Sequence, residues 1–324
     1  MEQPSGALFG VFGSEPERRM SFLNSIAKRS ETEGLIVYHR VSSGSRYTFL
    51  NDAHYPARIQ GASRVASLCS YAYYIFPMSG KLTLADGEVA ILLDAFELPG
   101  TVELIDIPID PSNALNQLKG TRMADYGVES RASAASNIDL PRISPSPAFA
   151  TGGTLLYVDR VFTVKGVGTV VLGFVLSGTI SLHDELRPLP EPDGKMVEVK
   201  GIQVNDVDFP QVGPGIRVGL SIKGATPEDL QKTAWLDSGN LETLDAFSVK
   251  FRQNRFYKDQ WSGKSLHLQL PGEFMPVKAE GESGGEECSI RLNARVPVWN
   301  GMKVCLIDLN AKGSRIVGSG TFLA

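Results

Sequence analysis

The chain has little of what most side-chain chemistry is made from. Its three cysteines, Cys69, Cys288 and Cys305, are odd in number and show no CxxC spacing, which excludes a disulfide framework or a zinc site as the organising principle and predicts reduced, mostly buried thiols. Four histidines, His39, His54, His183 and His267, are scattered without HExxH or triad spacing, so they are expected to be ordinary turn and surface residues, with no catalytic set and no metal set. No apolar run approaches the roughly 18 residues needed to span a bilayer. The opening MEQPSGALFG has neither a basic n-region nor a long apolar h-region, so no membrane partner and no secretory signal are expected, and a cytoplasmic location is. The net charge is −4, and no DNA partner is expected.

What is present describes a globular protein, 42% hydrophobic and 21% charged. At roughly 100 to 200 residues per domain, 324 residues favour two or three domains. The pattern gives three, at 1–150, 151–244 and 245–324. Before residue 150, strand-like and helix-like runs alternate, the signature of an α/β layer with a parallel sheet. Expected strands are Ala7–Gly13, Leu35–Val41, Tyr47–Leu50, Tyr71–Phe76 and Thr101–Ile107. Expected helices are Pro16–Arg29, with Ser14 as cap and proline in the first turn, then Pro56–Ser70, Leu84–Leu98 and Asn113–Tyr126. Arg131–Pro147 reads as a linker rich in serine and proline.

After residue 150 the periodicity changes to that of short antiparallel strands. Val158–Thr163 and Thr169–Leu176 are β-branched runs joined by the turn Lys165-Gly166-Val167-Gly168, and Thr179–Leu186 continues the alternation, which suits a small closed barrel. Phe247–Phe256, Ser265–Leu270, Ser289–Pro297 and Gly301–Asp308 predict a second barrel, with the acidic, glycine-rich Glu280–Glu287 as a solvated loop.

The string from Tyr157 to Pro190, with VF.VKGVGTVV.G.V.SG.I...DE....P at its heart, resembles the second domain of the elongation factor Tu family of translational GTPases, most closely its selenocysteine-specific branch. The likeness continues through VEVKGIQV (197–204) and VGPGIRVGLSI (212–222), and the closing SRIVGSGTFLA (314–324) is similar to the last strand of the family's third domain. Gly87-Glu88 with Ile91-Leu92-Leu93-Asp94, Phe96 and Pro99 resembles the helix before the guanine-reading strand. The implied fold class is α/β plus all-β: a degenerate P-loop GTPase-like domain followed by two small antiparallel barrels.

Held against that family, all three nucleotide elements are damaged. The phosphate cradle GxxxxGK[ST] aligns with Gly13-Ser14-Glu15-Pro16-Glu17-Arg18-Arg19-Met20. Arg18 places a Cβ where the second glycine belongs, Pro16 removes an amide donor, and Met20 offers magnesium no oxygen. Glu15 and Glu17 put negative charge where a polyphosphate would lie. Arg19 could mimic the lysine, while Ser21 sits one residue late for the metal. The DxPGH-type segment matches Asn51-Asp52-Ala53-His54-Tyr55-Pro56, with carboxylate and histidine each displaced by one. Leu104 to Asp110 contains no NKxD, leaving Asp106 and Asp110 as surface or capping carboxylates. The resemblance therefore implies a pseudo-GTPase without catalytic residues and without GTP or Mg²⁺, its degenerate nucleotide positions being Gly13, Arg19, Ser21 and Asp52.

Residues 1–150 carry 13 basic against 16 acidic side chains, 151–244 carry 8 against 12, and 245–324 carry 11 against 8, so positive charge gathers at the C-terminal end. There Lys250, Arg252, Arg255 and Lys258 interleave with Phe251, Phe256 and Tyr257, which suits either an RNA contact or a strand with alternating core and solvated faces. In the family the second barrel and GTPase domain hold the aminoacyl end of tRNA and the third barrel its stem. By resemblance, Lys165, Val167 and Thr169 in the barrel turn, Arg217 in the RVG step and the Lys250–Lys258 cluster are the candidate contacts, with tRNA, the ribosome or a translation protein as partner. Two other readings are a GTPase with an atypical pocket using Arg19, Ser21 and Asp52, and an adaptor docking through Tyr71, Tyr73 and Tyr74.

Overall fold

The computed structural model describes residues 4–30, 35–134, 138, 140–141, 143, 149, 151–190, 196–239 and 241–324. Its first sheet grows around β1 (Gly6–Phe12), whose run GALFGVF is buried along almost its whole length, as a central parallel strand requires. The chain continues through α1 (Pro16–Ile26), a short edge strand β2 (Lys28–Ser30), β3 (Ile36–Ser42), β4 (Ser45–Asn51), α2 (Gln60–Leu68), β5 (Tyr71–Ile75), α3 (Leu84–Ala95), β6 (Gly100–Ile105), α4 (Pro111–Gln117) and β7 (Gly127–Arg131). The strands lie in the order β2-β3-β4-β1-β5-β6-β7. From β4 to β7 all pairings are parallel, whereas β2, β3 and β4 run antiparallel. Ser43 and Gly44, both at positive φ (50° and 80°), make the tight β3–β4 turn.

Local chemistry sets the helix ends. Thr83 and Asp86 form a reciprocal capping box at the start of α3. Asp110 caps α4 by accepting from Ser112 N at 2.8 Å, the capping role expected of it. Four expectations need correction. Glu15, not Ser14, holds the N-cap of α1, and it makes no side-chain capping bond. The helix expected to reach Arg29 ends at Ile26, because Lys28–Ser30 pair with β3 as an edge strand. The helix predicted over Asn113–Tyr126 stops at Gln117, because Gly120 adopts φ +85° and the chain resumes as a 3₁₀ turn at Arg122–Asp125. The stretch leading into the expected linker, and the linker's own first residue, form β7, whose Arg131 meets the buried Glu103 of β6 at 2.7 Å. The remainder of the expected linker falls largely outside the described residues.

The second unit comprises β8 (Leu155–Val164), β9 (Gly168–Ser177), β10 (Ile180–Ser181), β11 (Glu185–Leu189), β12 (Val197–Val204), β13 (Val207–Asp208), β14 (Gln211–Val212), β15 (Arg217–Lys223) and β16 (Trp235–Asp237). Its main sheet runs β11-β16-β8-β9-β15-β12-β13, and an added β11–β12 pairing closes the ring. Inside it lie Leu156, Val171, Val175, Val199, Ile202 and Leu220. The third unit, β17 (Glu242–Gln253), β18 (Ser265–Gln269), β19 (Phe274–Glu280), β20 (Glu287–Val298), β21 (Lys303–Ile307) and β22 (Ile316–Phe322), is a closed barrel in the order β17-β20-β19-β18-β21-β22. The chain thus adopts the α/β plus two-barrel class expected of it. Cys69, Cys288 and Cys305 are free and buried. Among the described residues no helix is long and apolar enough to cross a membrane.

The α/β layer is bolted to the third unit through α2 and α3. Arg315 donates to both carboxylate oxygens of Glu88, at 3.0 and 2.5 Å, and to Pro56 O at 3.0 Å. Lys303 meets Glu97 at 2.7 Å and Arg252 meets Asp94 at 2.5 Å. Buried between them, Ser63 Oγ donates to Gln269 Oε1 at 2.7 Å, and Gln269 Nε2 donates to Ser67 Oγ at 3.1 Å. The two barrels meet where Trp235 Nε1 donates to Pro271 O at 2.9 Å.

Candidate functional site

The loop between β1 and α1 is where a phosphate cradle would lie, and Arg19 fills it. Arg19 shares the inward face of α1 with Phe22, Leu23 and Ile26 and is 1% exposed. Its Nε donates to Asn51 Oδ1 at 3.0 Å, one terminal nitrogen donates to Gly13 O, and the other to Asp52 O at 2.6 Å and Tyr55 O at 3.1 Å. The guanidinium therefore joins the first cradle residue to the segment after β4. Burial pulls its pKa down to about 10 against the opposing pull of Asp52, so it remains a cation at neutral pH.

The rest of the loop is held by the protein's own groups. Ser14 N donates to Asp86 Oδ1 at 3.1 Å, an oxygen that also accepts from Tyr74 at 2.8 Å. An internal carboxylate thus takes an amide of the kind a phosphate would use. Glu15 sits at the N-cap, its carboxylate accepting from Met78 N at 3.1 Å. Arg18 crosses the loop to donate to Ile105 O at 2.7 Å. Ser21 is exposed, on the opposite side of α1 from Arg19. Asp52 is 4% exposed; one of its carboxylate oxygens accepts from His54 N at 3.0 Å, and the other has no partner among the described residues. The free oxygens the local chemistry offers a magnesium ion are that one and the buried Ser14 Oγ, since the Met20 side chain has none and Ser21 faces away. At the far end of β6, Asp106 is exposed with φ +51°, and Asp110 is committed to α4. The residues present do not fit a magnesium nucleotide.

A second feature is open. A cleft of about 620 Å³ separates the β2–β3 edge of the α/β layer from the barrel face made by β8, β9, β12 and β15. Lys28 and His39 line it from the α/β side, and Arg217, Asp206 and Asp208 from the barrel side. Arg217, half-buried, meets Asp159 at 3.1 Å and lies 6.0 Å from the Phe174 ring centre. His39 Nδ1 is 2.9 Å from Ser30 Oγ. Burial first, then Lys28 and Arg217, hold the His39 pKa below its ordinary value, with Asp206 opposing.

Of the barrel-turn candidates, Val167 lines the cleft and is 55% exposed, and Lys165 is exposed on the same hairpin tip. Thr169 is buried and donates to Ala225 O at 2.9 Å, so it fixes the hairpin base. His39 was expected as an ordinary turn or surface residue, and Lys28, Asp206 and Asp208 went unread in the sequence. The signal for the last pair is the turn Asn205-Asp206, both at positive φ, which ends β12 and points the hairpin at the cleft. The C-terminal basic cluster is a strand with alternating faces: Val249 and Phe251 are buried while Lys250 and Arg252 are exposed. Arg252 is engaged by Asp94, Arg255 lies 4.7 Å over Phe256, and Lys258 is exposed. Tyr73 and Tyr74 are fully covered and Tyr71 is half-buried, bonded to Thr101 at 2.7 Å; β5 is a central strand with both faces packed.

An α/β layer docked on two closed barrels is a fold this chain shares with solved translation elongation factors. Across its full length the chain superimposes, with TM-score 0.78 and 19% identity, on 80% of the apo translation elongation factor SelB from Methanococcus maripaludis. It matches 58% of a bacterial selenocysteine-specific elongation factor EF-Sec at the same TM-score and 15% identity. In sequence, residues 168–236 match Elongation factor Tu domain 2. The selenocysteine-specific elongation factor of Methanocaldococcus jannaschii is 31% identical over 187 residues, half of this chain and 39% of that one. An uncharacterized protein of the same organism is 27% identical over 297 residues, covering 91% of this chain and 94% of its own length. The chain resembles the elongation factor Tu family and its selenocysteine-specific branch.

Proposed function

We propose that this chain is a translation-factor paralogue that does not hydrolyse GTP and acts by recognition, with tRNA, the ribosome or a translation protein as its ligand. The observation that carries the reading is Arg19, whose guanidinium occupies the cradle and uses its donors on Gly13, Asn51, Asp52 and Tyr55. A nucleotide would have to displace a buried cation that holds together two segments of the sheet. The interdomain bonds of Arg315, Lys303 and Arg252 support a platform whose arrangement is set without a γ-phosphate. The cleft around Lys28, His39 and Arg217 is then the contact for an anionic ligand, the RNA acceptor end being the choice the family likeness favours.

Calorimetric titration with GTP and GDP, each with Mg²⁺ and run to millimolar ligand, tests the first half; no saturable heat is expected. Micromolar binding would overturn it and put the atypical GTPase of Arg19, Ser21 and Asp52 first. Labelled tRNA titrated at low and moderate salt tests the second half, with saturable, salt-sensitive binding expected and a several-fold loss in Lys28→Ala and Lys165→Ala. Binding indifferent to salt and to both substitutions would remove the RNA assignment.

A further inference from the structure

A second cavity of about 630 Å³ lies away from the cleft, between α3, the end of α4 and the loop before β22. Its floor is aliphatic: Leu82, Ala85, Ile91 and Ala311, with Leu84 at the lip. Leu84 is 93% exposed although it opens a helix, a position where a polar or acidic residue is ordinarily favoured, and Phe256 opposite it is 52% exposed. Around this floor stand Lys119, Arg255 and Arg315, while the carboxylate among the described lining residues, Glu88, is already bonded to Arg315. Lys119 and Arg255 therefore leave an excess of positive charge over an apolar trough, in a chain whose net charge is −4.

We propose that this groove docks an acidic amphipathic segment of a partner protein, an aliphatic side chain entering between Leu84 and Phe256 while flanking carboxylates meet Lys119 and Arg255. The volume is that of a small-ligand or anchor-residue pocket. Apolar anchors at helical spacing fit a groove of this kind. The chemistry favours a peptide over nucleic acid, because base stacking needs open aromatic faces. Phe256 is the aromatic residue of the lining, and Arg255 already covers one of its faces at 4.7 Å.

Fluorescence anisotropy with a labelled twelve-residue acidic peptide carrying leucines at i, i+3, i+4 and i+7 provides the test. Its counterpart with every glutamate replaced by lysine and a twelve-nucleotide single-stranded RNA serve as comparison probes. The acidic peptide is expected to bind the full chain with a dissociation constant on the order of 10–100 µM, as a small transient contact does. Leu84→Asp and the pair Lys119→Glu with Arg255→Glu are each expected to weaken it at least about tenfold, with the lysine peptide inert. Because Leu84 is nearly free of contacts, Leu84→Asp tests the groove without disturbing the fold, which circular dichroism verifies. Affinity unchanged in Leu84→Asp, no saturation by about 1 mM peptide, or RNA binding in a Leu84-dependent manner while the peptide does not would each overturn the proposal.

Discussion

At the scale of single residues, Arg19 decides most. Its alignment with a phosphate-binding lysine is visible in the sequence, but its use is not, because its partners come from residues 13, 51, 52 and 55, brought together only when β1 and β4 pair. Removing it leaves three buried carbonyls and an amide oxygen without donors, each costing roughly 1–3 kcal/mol if water does not reach it. Arg19→Ala is accordingly expected to destabilise the chain by about 3–5 kcal/mol in denaturant unfolding. It is also expected to leave nucleotide binding no better. A stability change below about 1 kcal/mol would show that the guanidinium is not a structural plug.

His39 gives a residue-scale prediction in pH. Its folded pKa lies below the ordinary 6.5, so the unfolded chain takes up its proton first. Its contribution to stability is whole above pH 6.5 and is lost as pH falls through the folded value. His39→Gln should flatten that acid limb. By linkage, an anion bound beside Lys28 and Arg217 must raise the His39 midpoint in an NMR titration, and an unmoved midpoint in the presence of saturating tRNA would place that ligand elsewhere.

At the scale of elements, legibility followed burial. β1 was readable because a central strand is apolar throughout, and α3 because its aliphatic residues recur at helical spacing, whereas the Thr83 cap that starts it went unread. β7 was not, since an edge strand reading GVESR carries little apolar signal and exists because β6 offers it a ladder and Glu103 offers Arg131 a partner. The same logic governs the joint between β1 and the first barrel. Gly215 adopts φ +81°, and a Cβ there would lie 2.6 Å from Gly6 O. Gly215→Ala is expected to cost about 1–3 kcal/mol through backbone strain and a forced displacement. Since Gly215 immediately precedes Ile216 and Arg217, the substitution should also weaken whatever the cleft binds, whereas Gly44→Ala, whose Cβ meets open space, should leave that binding unchanged.

For the whole molecule, the barrel motif was readable because its turns and strands are local, while the way the three units are joined was not. Glu88 and Arg315 are separated by 227 residues, and neither is unusual in its own surroundings. Together they place a nearly buried carboxylate of α3 against a guanidinium that also reaches Pro56 O. With Lys303–Glu97, Arg252–Asp94 and the Ser63–Gln269–Ser67 chain, this ties the α/β layer to the last barrel across a shared apolar core. Such a contact makes the first and third units unfold together, so the intact chain should show one thermal transition for both. Glu88→Gln keeps the shape but removes the charge. Arg315 retains some solvent access, and the expected loss is about 2 kcal/mol, confined to this interface. Hydrogen exchange should then speed up in α3 and β22 together while β8 and β9 stay protected. Equal acceleration in all three units, or none, would show that the platform is held by the apolar core alone and that the Glu88–Arg315 pair does not set the arrangement.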